Sequence, residues 1–191
     1  MSINDIINRL KDELGEVRVL HSINVMEVSA KLAEKYGVDI EKAKLAGILH
    51  DCGKNYRGEK AIKYIEEIGY EADEIELAHT PLLHGVIGQY IAQVEYEITD
   101  PEILNAIRWH TTGKAGMTTL EKIIYVADYI EPLRNFDDID NMRSAAFEDL
   151  DKCIVLCADS TIRYILNKGF LLHEKTVETR NHCLRRIKKY I

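Results

Sequence analysis

Apolar residues recur every three or four positions along most of the chain, which is the spacing of one face of an α-helix. The longest such run covers residues 16–36, and Gly37 is placed to end it. A shorter run begins after the capping residue Asp39 and ends in the letters HDCGK, where Gly53 breaks the helix. No stretch alternates apolar and polar residues as a half-buried strand does. The pattern therefore predicts an all-α fold.

Capping and breaking residues divide the rest of the chain into further helices. The signals are Ser2 with Asp5, Thr118 with Glu121, the run Asp100-Pro101-Glu102, and the breakers Gly69 and Pro132. An acidic loop is predicted after Pro132, followed by two closing helices over residues 150–167 and 174–190. Gly85 and Gly88 lie in a predicted buried helix, and since glycine weakens a helix, we expect another backbone to pass close to them.

The length of the chain bounds the number of domains. Its 191 residues favour one compact unit with a sizeable core. No internal repeat suggests an array of smaller units. We therefore expect a single-domain helical bundle over residues 1–191, with its core at residues 16–182.

Composition limits the binding partners and the cellular compartment that we expect for this protein. The formal charge of −7 at pH 7 disfavours a nucleic-acid partner, because such binding depends largely on neutralising phosphates. No segment reaches the roughly 18 apolar residues of a membrane span, and the first residues lack the features of a secretory signal. The four cysteines form no CxxC pair, which favours free thiols in a reducing compartment. We expect a cytoplasmic protein without nucleic-acid or membrane partners, and a homodimer because isologous dimers are common.

Ionisable side chains stand in apolar surroundings at two places. Asp128 lies within the letters IIYVADYI, and His50 and Asp51 end a helix of small and apolar residues. Burying such groups without partners costs several kcal/mol, so something must compensate. A shared divalent cation would do so, because imidazole nitrogens and carboxylate oxygens suit zinc, manganese, iron or cobalt.

Four side chains could form one open metal site. His50 and Asp51 point about 100° apart around the axis of one helix, while His21 and Asp128 come from two others. Four protein ligands leave positions for water or substrate, which is typical of a catalytic site. A bound divalent ion lowers the pKa of its water towards about 7, which supports hydrolysis at neutral pH. Any one of these histidines alone would more often be a core residue, so the combination carries the prediction.

Basic residues lie close in sequence to the predicted ligands. Arg18 lies three positions before the first of them, Lys54 three positions after Asp51, and Arg134 six positions after Asp128. Arg18 or Lys54 alone is as often a surface charge as a substrate contact. Together they favour a substrate that carries phosphate.

The order His21, then His50-Asp51, then Asp128 resembles the HD-domain superfamily of metal-dependent phosphohydrolases. The segments LAGILHDCGKNY, HTPLLHGVIGQYIA, WHTTGKAGMTTLEKIIYVADYIEP and ILNKGFLLHEKTVETRN are similar to its YqeK branch, the bacterial symmetrical bis(5'-nucleosyl)-tetraphosphatases. The resemblance extends over residues 17–181 and implies an HD-type helical bundle. It also implies hydrolysis of diadenosine tetraphosphate to two ADP, with iron, or else cobalt, manganese or zinc, at the four ligand positions.

The resemblance implies further roles by position. Substrate contacts are implied for Arg18, Lys54, His84, His110, Thr111, Arg134, Gly169, Phe170 and His173. His84 and His110 also match positions where related two-metal enzymes hold a second ion, so this pair is open to phosphate, to a second metal, or to each in turn. As a mechanistic hypothesis, Asp51 or Asp128 orients the attacking water, and His110 donates a proton to the leaving oxygen.

Two other functions remain open at this point. The same scaffold could act on a nucleoside monophosphate, a cyclic dinucleotide or a guanosine polyphosphate, because a fold does not fix its substrate. A non-catalytic sensor could instead keep the metal in order to bind a nucleotide. A degenerate sensor is expected to lack a ligand, and all four ligand positions are filled here, which favours the enzyme.

Overall fold

The structure is a computed structural model that describes residues 1–188. These residues form eleven α-helices and no strand, so the predicted all-α fold is confirmed for the part of the chain described. The helices are α1 (Ile3–Leu14), α2 (Glu16–Tyr36), α3 (Ile40–Leu49), α4 (Glu59–Glu67), α5 (Glu74–Ala78), α6 (His84–Val94), α7 (Pro101–Trp109), α8 (Thr119–Ile130), α9 (Ile139–Glu148), α10 (Leu150–Lys168) and α11 (Glu174–Lys188). A 3₁₀ turn over Thr80–Leu83 leads into α6.

The predicted helix signals act where the sequence places them. The side chain of Ser2 accepts from the backbone of Asp5 at the start of α1, and Thr118 with Glu121 forms the second capping box, at the start of α8. Gly37 takes the left-handed conformation with φ 68° and ends α2. Because each signal satisfies backbone groups that a helix end leaves unpaired, these bounds follow from local chemistry.

Two helices were not predicted. The segment after Pro132 was expected to be an acidic loop, and this is wrong, because α9 occupies most of it. Ile139, Met142 and Ala146 are buried along one side of α9, and the neighbouring acidic residues mask that apolar face in the sequence. The other is α5, whose five residues are too few to show a helical period. The closing helix is described to Lys188, and its predicted end at residue 190 lies outside the described residues.

The core lies where α2, α3, α7 and α8 pack together. Helix α2 packs against α3 and α8, and α7 packs against α6 and α8. Helix α10 covers α8 and α9, and α11 packs along α10. Large side chains with no measurable exposure fill the centre, among them Leu32, Leu49, Ile87, Ile107 and Ile124. Each such side chain contributes about 1.5–3 kcal/mol by leaving water, so the helix ends beside this core are firmly placed.

Glycines bring three of these helices into backbone contact, as the sequence predicted. A Cβ on Gly85 would lie 2.6 Å from the carbonyl oxygen of Arg108. A Cβ on Gly53 would lie 2.7 Å from the backbone nitrogen of Gly88, and one on Gly88 would lie 3.4 Å from the nitrogen of Gly53. The end of α3, the start of α6 and the end of α7 therefore meet at one point.

The cysteines and the helix lengths bear on two further predictions. All four cysteines are free, as predicted, and all four are buried. Within residues 1–188, no helix has both the length and the apolar character needed to cross a bilayer. The domain limits at residues 16 and 182 stay a prediction.

Candidate active site

Side chains from five helices converge where those backbones meet. They are His21 on α2, His50 and Asp51 at the end of α3, His84 at the start of α6, His110 at the end of α7, and Asp128 on α8. Asp51 is almost fully enclosed, with 2% of its side chain exposed, whereas Asp128 has 21% exposed. Asp128 therefore lies where the cluster opens to solvent.

One group of ligand atoms surrounds the Oδ2 side of Asp51. The Nε2 of His21 lies 3.2 Å from the Nε2 of His50 and 3.1 Å from Oδ1 of Asp128. Asp51 Oδ2 lies 3.8 Å from the Nε2 of His21 and 3.7 Å from that of His50. The four predicted ligand side chains thus form one compact group.

A second group surrounds the other oxygen of the same carboxylate. The Nε2 atoms of His84 and His110 lie 2.9 Å apart. Asp51 Oδ1 lies 3.3 Å from the Nε2 of His84 and 3.6 Å from that of His110. The hydroxyl of Thr111 lies 3.2 Å from both ring nitrogens. Asp51 therefore offers one oxygen to each pair of histidines.

The hydrogen bonds at Nδ1 fix which nitrogen of each ring carries the hydrogen. His50, His84 and His110 each donate from Nδ1 to the carbonyl three residues earlier, at 2.7, 2.5 and 2.7 Å. The Nδ1 of His21 donates to Oε1 of Glu131 at 3.2 Å. Because these oxygens only accept, a neutral ring carries its lone pair on Nε2. All four lone pairs therefore point into the cluster.

This arrangement fits divalent cations. Two lone pairs facing each other at 3.2 Å and two at 2.9 Å repel unless a positive charge lies between them. Asp51 Oδ1 is buried without a hydrogen bond of good geometry, although the Nζ of Lys54 lies 3.1 Å away. One ion would satisfy His21, His50, Asp51 and Asp128, and another would satisfy Asp51, His84 and His110. The ligand atoms of each histidine pair and Asp51 lie within 4.8 Å of one another.

Burial keeps two of the histidines neutral. It lowers the pKa of His50 to about 3. It also lowers the pKa of His84 to about 4, with a further contribution from the charge of Lys54. Burial alone would raise the pKa of Asp51, but His50, Lys54 and other neighbours outweigh it and hold that pKa well below its usual range. At neutral pH His50 and His84 are therefore neutral and Asp51 is ionised, the forms that bind metal. Burial alone would lower the pKa of His21, but Asp128, Asp51 and Glu131 outweigh it and raise that pKa.

The three predicted cations all reach this cluster. Arg18 Nη1 lies 3.0 Å from Asp51 Oδ2, and Lys54 Nζ lies 3.1 Å from both Asp51 Oδ1 and the Nε2 of His84. Arg134 Nη2 donates to Asp128 Oδ1 at 2.6 Å. These positive groups stand at the edge of the ligand cluster, where an anionic substrate would approach.

A cavity of about 790 Å³ opens from the cluster. Its inner end is lined by Lys54, His84, His110, Thr111, Asp128 and Arg134. Its outer end is lined by Tyr129 and Phe136 and by Arg163, Tyr164 and Asn167 of α10. The volume is in the range of small-molecule sites. The lining combines the charged groups of the cluster with aromatic rings, with Arg163 and with the carboxylates of Asp137 and Asp138.

Glu131 and the α10 residues of the cavity lining were not predicted from the sequence. Glu131 is 2% exposed and accepts from His21, from Asn24 Nδ2 at 3.1 Å and from the backbone nitrogen of Leu133 at 2.8 Å. A carboxylate that holds a ligand histidine fixes the orientation of the ring. The only signal for Glu131 was an acid between an apolar helix and Pro132, and no signal marked the α10 side chains as part of a site.

One predicted segment lies apart from the cavity lining. Gly169 ends α10, and the ring of Phe170 packs against that of His79 with centroids 5.3 Å apart. The Nε2 of His173 lies 3.1 Å from Asp73 Oδ2. The segment therefore joins the end of α10 to the region around α5, and its contact with substrate stays a prediction.

Comparison with known protein families assigns the chain to one of them. Residues 18–133 match the HD domain, and the chain belongs to the HD-domain family. The matched region contains both groups of ligand atoms and ends just before Arg134.

Individual relatives cover nearly the whole chain. The symmetrical bis(5'-nucleosyl)-tetraphosphatase of Bacillus subtilis (strain 168) is 40% identical over 174 residues, 90% of this chain and 92% of that protein. The protein of the same name from Staphylococcus aureus (strain NCTC 8325 / PS 47) is 37% identical over 185 residues, 95% of this chain and 94% of that one. A predicted HD superfamily hydrolase involved in NAD metabolism from Clostridium acetobutylicum has a crystal structure similar to this one, with TM-score 0.94 and 44% identity over 97% of this chain and 98% of that one.

Proposed function

We propose that this protein is a metal-dependent hydrolase that cleaves diadenosine tetraphosphate, and related dinucleoside polyphosphates, symmetrically to two ADP. The observation that carries the proposal is that the ligand cluster opens into one cavity lined both by cations and by aromatic rings. A phosphate chain suits the cations beside the cluster, and a nucleobase suits the aromatic rings. The names of the two bacterial relatives support the same activity.

The proposed metal site has two parts that share Asp51. One ion would be held by His21, His50, Asp51 and Asp128, and a second by Asp51, His84 and His110. Iron is the proposed metal, with cobalt, manganese and zinc as the alternatives that suit the same donor atoms. When bound, a divalent cation supplies charge neutralisation for phosphate oxygens and a more acidic water.

The side chains around the cluster would bind and align the substrate. Arg18, Lys54 and Arg134 bind phosphate oxygens on the two sides of the cluster. Symmetrical cleavage requires that the central bridging oxygen of the tetraphosphate lies at the cluster, with two phosphates on each side. Water attacks one central phosphorus in line, the bond to the bridging oxygen breaks, and two ADP result. Asp51 or Asp128 orients the attacking water.

The tautomer of His110 bears on its proposed role. A neutral His110 that donates from Nδ1 to a carbonyl has only a lone pair at Nε2, so it can ligate or accept but cannot donate there. Proton donation to the leaving oxygen, as predicted from the sequence, requires a second proton on the ring. Its neighbours His84 and Thr111 remain proposed contacts of the phosphate chain, as do Gly169, Phe170 and His173 for the rest of the substrate.

A comparison of substrates tests this proposal against the other phosphohydrolase functions. With the Mn²⁺-loaded protein, we expect kcat/KM for diadenosine tetraphosphate to exceed that for a nucleoside monophosphate, a cyclic dinucleotide and a guanosine polyphosphate by about tenfold or more. A higher value for any of the other three would overturn the substrate assignment. Thermal stabilisation by a nucleotide that is recovered intact would instead support the sensor.

The proposal also includes a cytoplasmic location and a homodimer. The cytoplasmic location is supported by the four free thiols. Sedimentation of the protein in solution tests the dimer, and a purely monomeric species would contradict it.

A further inference from the structure

The last helix reaches the loop that follows His110. Helix α11 lies wholly beyond the matched HD domain, yet its residue Thr179 is fully buried. The hydroxyl of Thr179 donates to the carbonyl oxygen of Thr112 at 3.2 Å. Burying a hydroxyl without a hydrogen bond costs free energy, so this contact stabilises the junction of the helix and the loop at a defined point.

Gly113 allows this close approach. Its φ of 65° is in the left-handed region, and a Cβ there would lie 2.6 Å from the Thr179 hydroxyl oxygen. Its backbone nitrogen donates to the carbonyl of Trp109 at 2.9 Å, which anchors the loop to the end of α7. The loop from Thr111 to Gly113 is therefore held between α7 and α11.

We propose that Thr179 is a positioning residue for the active site. By binding the carbonyl of Thr112, it holds the neighbouring Thr111 so that its hydroxyl stays 3.2 Å from the Nε2 atoms of both His84 and His110. Without the hydrogen bond from Thr179, the loop is no longer held by α11, and the Thr111 hydroxyl can move away from the two histidines. This inference rests on the proposed function, because it treats the histidine pair as part of the working site.

The test compares Thr179→Val with Thr179→Ser. Valine keeps the shape of threonine and removes the hydroxyl, whereas serine keeps the hydroxyl and loses one methyl group. We expect the valine variant to lose about three- to tenfold in kcat for diadenosine tetraphosphate, with KM within about twofold of wild type, as for one lost hydrogen bond. The serine variant should retain kcat to within about twofold.

A second readout is independent of turnover. Titration with Mn²⁺, followed by electron paramagnetic resonance of the free ion, should show weaker binding of one ion in Thr179→Val, by about threefold or more, and wild-type binding in Thr179→Ser. Thr176 is also buried on α11 and, among the described residues, donates no hydrogen bond to the Thr111–Gly113 loop. Thr176→Val is therefore the matched control, and it should leave kcat and Mn²⁺ binding unchanged.

The outcomes separate this inference from the proposed function. Equal loss in the valine and serine variants would show that packing matters and the hydrogen bond does not, which overturns the proposal. Wild-type kcat and Mn²⁺ binding in Thr179→Val would also overturn it. If the wild type cleaves no diadenosine tetraphosphate, the proposed function fails, and the Mn²⁺ titrations still decide the role of Thr179.

Discussion

At the scale of single residues, the site depends on which atom of each side chain faces its neighbours. The sequence predicts His21, His50, Asp51 and Asp128 as ligands, and the structure brings all four together. It could not predict that each ring turns its Nε2 inward, because the bonds at Nδ1 depend on carbonyls and carboxylates placed by the fold. Glu131 was missed for the same reason, since its role depends on a distance to His21 across 110 positions of sequence.

Glu131 should control metal affinity through His21. Glu131→Gln removes the charge that faces the Nδ1–H of His21 and should weaken Mn²⁺ binding by about tenfold or more, because such partners orient a ligand and increase its basicity. Equilibrium titration with Mn²⁺ measures the change. Activity should recover in part at high Mn²⁺ concentration.

Glu121→Gln is the matched control for this prediction. Glu121 is as deeply buried as Glu131, but it belongs to the capping box of α8 and pairs with Lys114 at 2.9 Å. Its substitution should lower thermal stability and leave Mn²⁺ affinity unchanged. Wild-type Mn²⁺ affinity in Glu131→Gln would contradict the role of Glu131.

At the scale of helices, the ends of α3, α6 and α7 carry most of the cluster. Gly53 predicted the end of α3 from the sequence, because a helix breaker acts within a few residues. Helices α5 and α9 were not predicted from the sequence. Helix α9 depends on burying Ile139 and Met142 against the rest of the fold, which no local signal in an acidic segment reveals.

The contact between α6 and α7 should set the distance between the second pair of histidines. Gly85→Ala places a Cβ 2.6 Å from the carbonyl oxygen of Arg108, so the helices must separate. We expect a loss of about 1–3 kcal/mol in the free energy of unfolding, measured in urea, and a loss of activity larger than the unfolded fraction explains.

Gly88 lies on the same face of α6, one turn further along, and offers the control. Its added Cβ would meet the nearest atoms at 3.4 Å, an ordinary contact. Gly88→Ala should therefore keep its activity and gain helix propensity of up to about 1 kcal/mol. Equal effects of the two substitutions would show that the approach of α7 to Gly85 does not position the site.

At the scale of the whole molecule, the cavity joins two parts of the chain. The ligand cluster lies within the matched HD domain, whereas Arg163, Tyr164 and Asn167 of its outer wall lie on α10, beyond that domain. The sequence predicted the chemistry of the inner end, because metal ligands are few in kind and strongly constrained. It could not predict the outer wall, because ordinary helix residues become cavity residues only when α10 packs over α8.

The proposed substrate is a polyanion, whereas the chain has a net charge of −7. Lys54, Arg134 and Arg163 line the cavity together with Asp128, Asp137 and Asp138, so the positive charge that attracts a polyanion there would come from the bound cations. The local field there, and not the net charge of the protein, decides which ligands enter.

The most direct test is to incubate the protein anaerobically with diadenosine tetraphosphate after loading it with iron(II), cobalt(II) or manganese(II), and to resolve the nucleotides by ion-exchange chromatography. Asp128→Asn serves as the paired variant, because it removes a ligand charge at the open side of the cluster. We expect metal-dependent formation of ADP alone, and no turnover by Asp128→Asn while its helical circular dichroism matches that of the wild type. ATP with AMP, no product with any of the three metals, or full activity in Asp128→Asn would contradict the account.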